Sequence, residues 1–228
     1  MFNLLKDKED KIYFLVPGFI GNYNEGFMKK LADFLVFKKN KVKKIKFKGH
    51  KLNESKLSNL DEMVLKVQRD FLNLRSKFPN IKIIVLAHSQ GCVVSLKAFK
   101  CFDKKTFFVF FAPAIFIKDI ILKRITNASY DLIKEGGEAE CQLSRFKKKV
   151  IDLDWYNSYK NFSVKKEVQK FNHKILIVRP NDDYLHEKNI DFLKNNLKIC
   201  NILETKGDHS FEKPKESFAV LADRLFKS

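Results

Sequence analysis

Residues Ile83 to Val94 read Ile-Ile-Val-Leu-Ala-His-Ser-Gln-Gly-Cys-Val-Val. An unbroken apolar run of this kind suits a strand buried on both faces. It runs into Ser89, and helical spacing follows at Val93, Leu96 and Phe99. A serine on a sharp strand-to-helix turn is the setting of a nucleophile elbow. The turn holds the hydroxyl above the edge of the sheet. Ala87 and Gly91, two residues to either side, are small enough for neighbouring backbone to pass closely. Ser89 would also stand at a helix N-terminus, where the N–H groups and the dipole favour developing negative charge. The alternative is a plain strand–turn–helix in which the serine is only a cap.

An activated serine needs a base and an acid that orients the base. Two later loops offer them. Arg179-Pro180-Asn181-Asp182-Asp183-Tyr184-Leu185 follows a late apolar run, and Gly207-Asp208-His209-Ser210-Phe211 follows the last one. Near the start, Val16-Pro17-Gly18-Phe19-Ile20-Gly21 follows the first strong run, and Lys48-Gly49-His50 with the Ser55 region follows the next. The chain has only 8 glycines, yet Gly18, Gly49, Gly91 and Gly207 fall in these loops. Glycine is needed where backbones approach closely.

Taken together, these segments resemble the α/β-hydrolase superfamily over almost the whole chain. The order Ser, Asp, His is the one that fold uses. The resemblance implies Ser89 as nucleophile and His209 as general base. It also implies the backbone N–H groups of Phe19 and Gln90 as oxyanion donors, although Pro17 stands where the family commonly has histidine. Asp182 and Asp183 compete for the acid. The family pattern has a hydrophobic residue three positions after it. Asp182 has Leu185 there and Asp183 has His186, so the pattern favours Asp182 and leaves Asp183 as the alternative or as a turn carboxylate. Gly18, His88 and Phe116 are candidates for the substrate pocket. Asp152 to Tyr159 loosely resembles the return from the small cap of cinnamoyl or feruloyl-type esterases.

The elements that must position these residues alternate. Strands are predicted over Lys11–Val16, Val42–Lys48, Ile81–Ala87, Thr106–Ala112, Lys174–Arg179 and Cys200–Glu204. Helices are predicted near Glu25–Lys38, from Leu60 to about Pro79, after Ser89, around Ile190–Leu197 and at the C-terminus. Such alternation implies an α/β fold with a mostly parallel sheet. A single domain over 1–228 is expected. The long stretch between the fourth and fifth strands breaks the rhythm, so 115–163 is expected as a cap or lid. Within it, Ile117–Thr126 reads as a helix, Gly136-Gly137 as a turn and Lys147–Leu153 as extended, and Val164–Phe171 beyond it reads as a helix.

Composition bounds the partners. The chain carries 45 Lys+Arg against 27 Asp+Glu, a net charge of +18 in 228 residues, with 45% hydrophobic residues. That hydrophobic content excludes a disordered chain. Four cysteines in a chain this long exclude a disulfide-stapled miniprotein. The lysines are scattered and no nucleic-acid-binding motif accompanies them, so nucleic acid is not expected as the main ligand. No apolar run reaches the length of a membrane span, and Lys6 to Asp10 end any leader-like start. A cytoplasmic enzyme without metal or cofactor is expected. Its substrate would be a small or medium acyl ester. An acyl ester or thioester on an acidic carrier protein or on CoA is the alternative, because the positive charge would steer an acidic partner. A non-catalytic binding protein on the same fold is the third reading. The sequence leaves monomer and homodimer open.

Overall fold

The structure is a computed structural model that describes residues 10–19, 21, 23–24, 26–50, 56–122, 126–144, 147–183 and 186–226. Ile20, Ser55, Tyr184 and Leu185, named above, lie outside the described residues.

A six-stranded sheet is the frame. Its strands are β1 (Lys11–Val16), β2 (Lys41–Lys44), β3 (Lys82–His88), β4 (Phe107–Phe111), β7 (Ile175–Pro180) and β8 (Cys200–Thr205). They lie in the order β2-β1-β3-β4-β7-β8, and every pairing is parallel. The predicted strand over Val42–Lys48 is shortened to β2. Ile45 N–H still donates to Leu15 O at 3.0 Å. Beyond that, β1 has ended at Val16 and Pro17 has no N–H to offer, so Lys46 to Lys48 leave the edge.

Alternation along the strands builds two cores. Phe14, Val16, Ile83, Val85, Ala87, Phe108, Phe110, Ile175 and Ile177 face one side. Tyr13, Leu15, Ile84, Leu86, Phe107, Val109, Phe111, Leu176 and Val178 face the other. The second face is covered by α1 (Gly26–Phe37), through Phe27, Leu31 and Leu35, and by the C-terminal helix Ser217–Phe226, through Leu221 and Leu225. On the first face, α2 (Leu60–Lys77) contributes Met63, Val67 and Phe71, and α3 (Gln90–Lys97) contributes Val93, Val94 and Leu96. Helix α2 starts where it does because Asn59 Oδ1 accepts from Glu62 N–H at 2.9 Å while the Glu62 carboxylate accepts from Asn59 N–H at 3.0 Å. This reciprocal cap satisfies donors that a helix start otherwise strands. The many phenylalanines interlock edge to face, as in Phe71–Phe102 at 4.6 Å, Phe102–Phe108 at 5.1 Å and Phe108–Phe171 at 5.0 Å. Burying each contributes about 1.5–3 kcal/mol.

Between β4 and β7 the chain forms α4 (Ile117–Leu122), α5 (Asn127–Lys134), a hairpin of β5 (Glu138–Ser144) and β6 (Lys147–Asp152), α6 (Leu153–Lys160) and α7 (Val164–Lys170). The helix predicted over Ile117–Thr126 stops at Leu122. Thr126 instead caps α5, its Oγ1 accepting from Ser129 N–H at 3.1 Å. The extended segment predicted at Lys147–Leu153 finds an antiparallel partner in β5, which the sequence reading did not include. The helix after β7, α8, spans His186–Asn196, and the C-terminal helix is α9. Among the described residues no helix is long and apolar enough to cross a membrane.

Candidate active site

β3 ends at His88, and Ser89 stands between it and α3 with φ 53° and ψ −119°. A non-glycine residue held there carries strain of about 1–3 kcal/mol. Three hydrogen bonds fix it. Ser89 N–H donates to Phe111 O at 2.9 Å, and Ser89 O accepts from Cys92 N–H at 3.1 Å and Ala114 N–H at 3.3 Å. The neighbouring glycines are steric necessities. A Cβ on Gly91 would lie 2.4 Å from Val16 O and 2.6 Å from Pro17 O. A Cβ on Gly18 would lie 2.9 Å from Ser89 Cβ and 3.1 Å from His88 O. The loop after β1 therefore presses directly on the elbow. Phe19 follows Gly18 in that loop, and Gln90 opens α3 beside it.

His209 Nε2 lies 2.9 Å from Ser89 Oγ. His209 Nδ1 lies 2.6 Å from Asp183 Oδ2. With Nδ1–H donated to the carboxylate, Nε2 is left to accept from the serine hydroxyl. The carboxylate that reaches His209 is thus Asp183 and not Asp182, which the sequence pattern favoured. The backbone explains the correction. Pairing of β7 with β8 runs to Pro180 opposite Thr205. It continues as Asn181 N–H donates to Thr205 O at 2.9 Å and Asp182 N–H to Gly207 O at 3.0 Å. Asp182 is left exposed at this turn, and the Asp183 side chain, 1% exposed, is turned in.

The histidine loop is built by two residues that the sequence reading missed. Asn181 Oδ1 accepts from Gly207 N–H at 3.1 Å. Asp208 Oδ1 accepts from Glu212 N–H at 2.9 Å and Ser210 N–H at 3.2 Å. Both are Asx types at turn positions, and that is the signal that could have found them. Gly207 takes φ 142°, which an L side chain would strain.

Of the pocket candidates, Gly18 touches the elbow as described. His88 turns beneath His209, its Nε2–H donating to His209 O at 2.9 Å. Burial, and secondarily the charge of His209, hold the His88 pKa down at about 3. The ring is therefore neutral at ordinary pH. Below pH 6.5 the unfolded chain binds a proton that folded His88 refuses until about pH 3, so stability falls as pH drops through that window. The contribution is on the order of 3 kcal/mol by pH 4. Urea unfolding at pH 7 and pH 4 should show a smaller acid loss in His88→Gln than in the wild type. Equal losses would contradict the assignment. Phe116 packs on Phe192 at 5.2 Å, with the Lys188 ammonium 4.8 Å from its ring. No contact of Phe116 with the Ser89–His209 pair is seen among the described residues. His50 is buried edge-on to Phe19, with ring centroids 6.5 Å apart.

The 115–163 segment reaches the same place. The Gln90 amide donates to the Tyr159 hydroxyl. Trp155 meets the Phe19 ring edge to face at 6.5 Å. Both aromatic residues belong to α6, which is tied to α2 where Leu60 N–H donates to Ser158 Oγ at 3.0 Å. The hairpin is tied down too, as Lys149 Nζ donates to Gly49 O at 2.8 Å and Lys56 pairs with Asp152 at 2.7 Å. Neither Trp155 nor Tyr159 carried a role in the sequence reading. Aromatic residues at helical spacing read simply as core.

Scans against models of protein families and against curated protein sequences find no match. Likeness appears in three dimensions. Est1E from Butyrivibrio proteoclasticus, also solved with ferulic acid bound, superposes with TM-score 0.70 at 14% identity, over 97% of this chain and 87% of that one. A monoacylglycerol lipase from Paleococcus ferrophilus superposes with TM-score 0.65 at 16% identity, over 97% and 96%. Mouse alpha/beta hydrolase domain-containing protein 10 gives TM-score 0.63 at 15% identity, over 95% and 88%.

Proposed function

The chain has the α/β-hydrolase fold, and from that premise we infer that it is a serine hydrolase that cleaves an acyl ester through an acyl-enzyme intermediate. The observation that carries this reading is the relay from Ser89 Oγ through His209 to Asp183, at 2.9 Å and 2.6 Å. In this reading Ser89 Oγ attacks the carbonyl carbon and its proton passes to His209 Nε2. Asp183 keeps the proton on Nδ1 and stabilises the imidazolium. The tetrahedral oxyanion is held by Phe19 N–H and Gln90 N–H, each worth about 10²–10³ in kcat. His209 then protonates the departing alcohol. Water, activated by the same histidine, releases the acid.

The cap role of 115–163 belongs to the same proposal. Its α6 side chains back both oxyanion residues, and the apolar residues of the segment would wall the acyl site. The names of two superposed proteins, an esterase-like Est1E and a monoacylglycerol lipase, support an ester rather than another acyl bond. The test is hydrolysis of p-nitrophenyl esters from acetyl to palmitoyl. Turnover that disappears in Ser89→Ala supports the reading, and the preferred chain length sizes the pocket. Turnover that survives in Ser89→Ala overturns it. So does an absence of turnover together with no fluorophosphonate labelling, the outcome expected of a non-catalytic binding protein.

A further inference from the structure

A second hollow lies on the far side of Phe19 from Trp155. It is a cavity of ≈ 250 Å³ whose lining includes Gly21, Tyr23, Asn24, Lys44, Lys46 and His50. None of its described lining residues is acidic. It adjoins the reaction centre through the loop after β1. Gly21 N–H donates to Gly18 O at 2.9 Å, and Gly18 abuts Ser89. His50, on its wall, meets the Phe19 ring.

Its cations are not neutralised from within. The Lys44 ammonium is held 5.5 Å from the Tyr23 ring centre. The Tyr23 phenol donates to Leu15 O at 2.7 Å, and burial raises its pKa, so no phenolate faces the lysine. Asp33 senses the Lys44 charge but is itself hydrogen-bonded to Lys29. Among the described residues no carboxylate pairs with Lys46, which is exposed and also borders a second groove of ≈ 560 Å³ beside Lys48, Lys66 and Arg69. Glu62 is the one carboxylate on the described lining of that groove, and it is engaged in the cap of α2. The field over this side of the oxyanion loop is therefore positive, and such a field concentrates anionic ligands.

We propose that the cavity formed by Lys44, Lys46, Asn24 and His50 is a subsite for an anionic oxygen group, a carboxylate or a phosphate, carried by the substrate a few atoms from the scissile carbonyl. This rests on the esterase reading and narrows its substrate class. Charge-assisted hydrogen bonds from two ammonium groups should favour an anionic substrate over a neutral isostere by about tenfold or more in kcat/KM.

The experiment compares matched pairs. p-Nitrophenyl hydrogen glutarate is set against p-nitrophenyl pentanoate, and an acyl glycerol phosphate against the corresponding acyl glycerol. The first pair places the anion on the acyl side and the second on the alcohol side. A preference of about tenfold within either pair, falling toward one in K44Q/K46Q but kept in the distant surface variant Lys165→Gln, supports the subsite and says which side it serves. Neutral and anionic members cleaved equally by the wild type, with turnover dependent on Ser89, would overturn the subsite and leave the esterase reading standing. If no ester is turned over, calorimetry of Ser89→Ala with monomethyl glutarate decides the subsite alone. Binding that is lost in the added K44Q/K46Q background supports it, and no binding overturns it.

Discussion

Ser89→Ala is expected to lower kcat on an accepted ester by about 10⁶-fold, His209→Ala by about as much, and the double variant by no more than either. The reason is that the two side chains perform one proton transfer. The Ser89 hydroxyl lies 2.9 Å from His209 Nε2. Without the histidine it is an ordinary alcohol, and without the serine the histidine has nothing to activate. What remains in each variant is the oxyanion site and binding. Steady-state kinetics on the three variants checks this. Multiplying losses would mean that the two residues act separately, and the relay would then be a structural contact only. Folding can be judged independently, because each side chain is replaced by a smaller one at the edge of the sheet.

The second large effect separates two adjacent carboxylates. Asp183→Asn should reduce kcat by about 10⁴-fold, because an amide at this position lets His209 turn to the tautomer that cannot accept the serine proton. Asp182→Asn should change kcat by a few-fold at most. Its side chain is exposed, and its structural bond to Gly207 O is made by the backbone N–H that the variant keeps. KM should move little in either variant, since neither group is placed on the substrate. Reversed magnitudes would restore the residue that the sequence pattern favoured and would require a different turn after β7.

This pair also shows where sequence reasoning stops. The strands were legible because burial on both faces leaves nearly continuous apolar runs, as in Phe107 to Phe111, and the elbow was legible because only small residues fit around Ser89. The choice between Asp182 and Asp183 was not legible. A one-residue extension of a strand pairing reverses which side chain points inward, and no spacing rule contains the hydrogen bond from Asp182 N–H to Gly207 O. The intervening segment was legible only in part. Gly136-Gly137 marked a turn, but Thr126 is equally acceptable at the end of one helix or as the cap of the next. The Gln90–Tyr159 contact joins residues 69 apart in the chain. Contacts of that range leave no local trace in composition or periodicity. The cavity beside Lys44 is of the same kind, since its wall is assembled from two separate loops.

The most direct test of the central claim is intact-mass analysis of the protein after reaction with a fluorophosphonate, followed by peptide mapping. The account expects one adduct, on Ser89, formed quickly by the wild type, absent from Ser89→Ala and strongly slowed in His209→Ala. An unlabelled wild type, or an adduct on any residue other than Ser89, would contradict it.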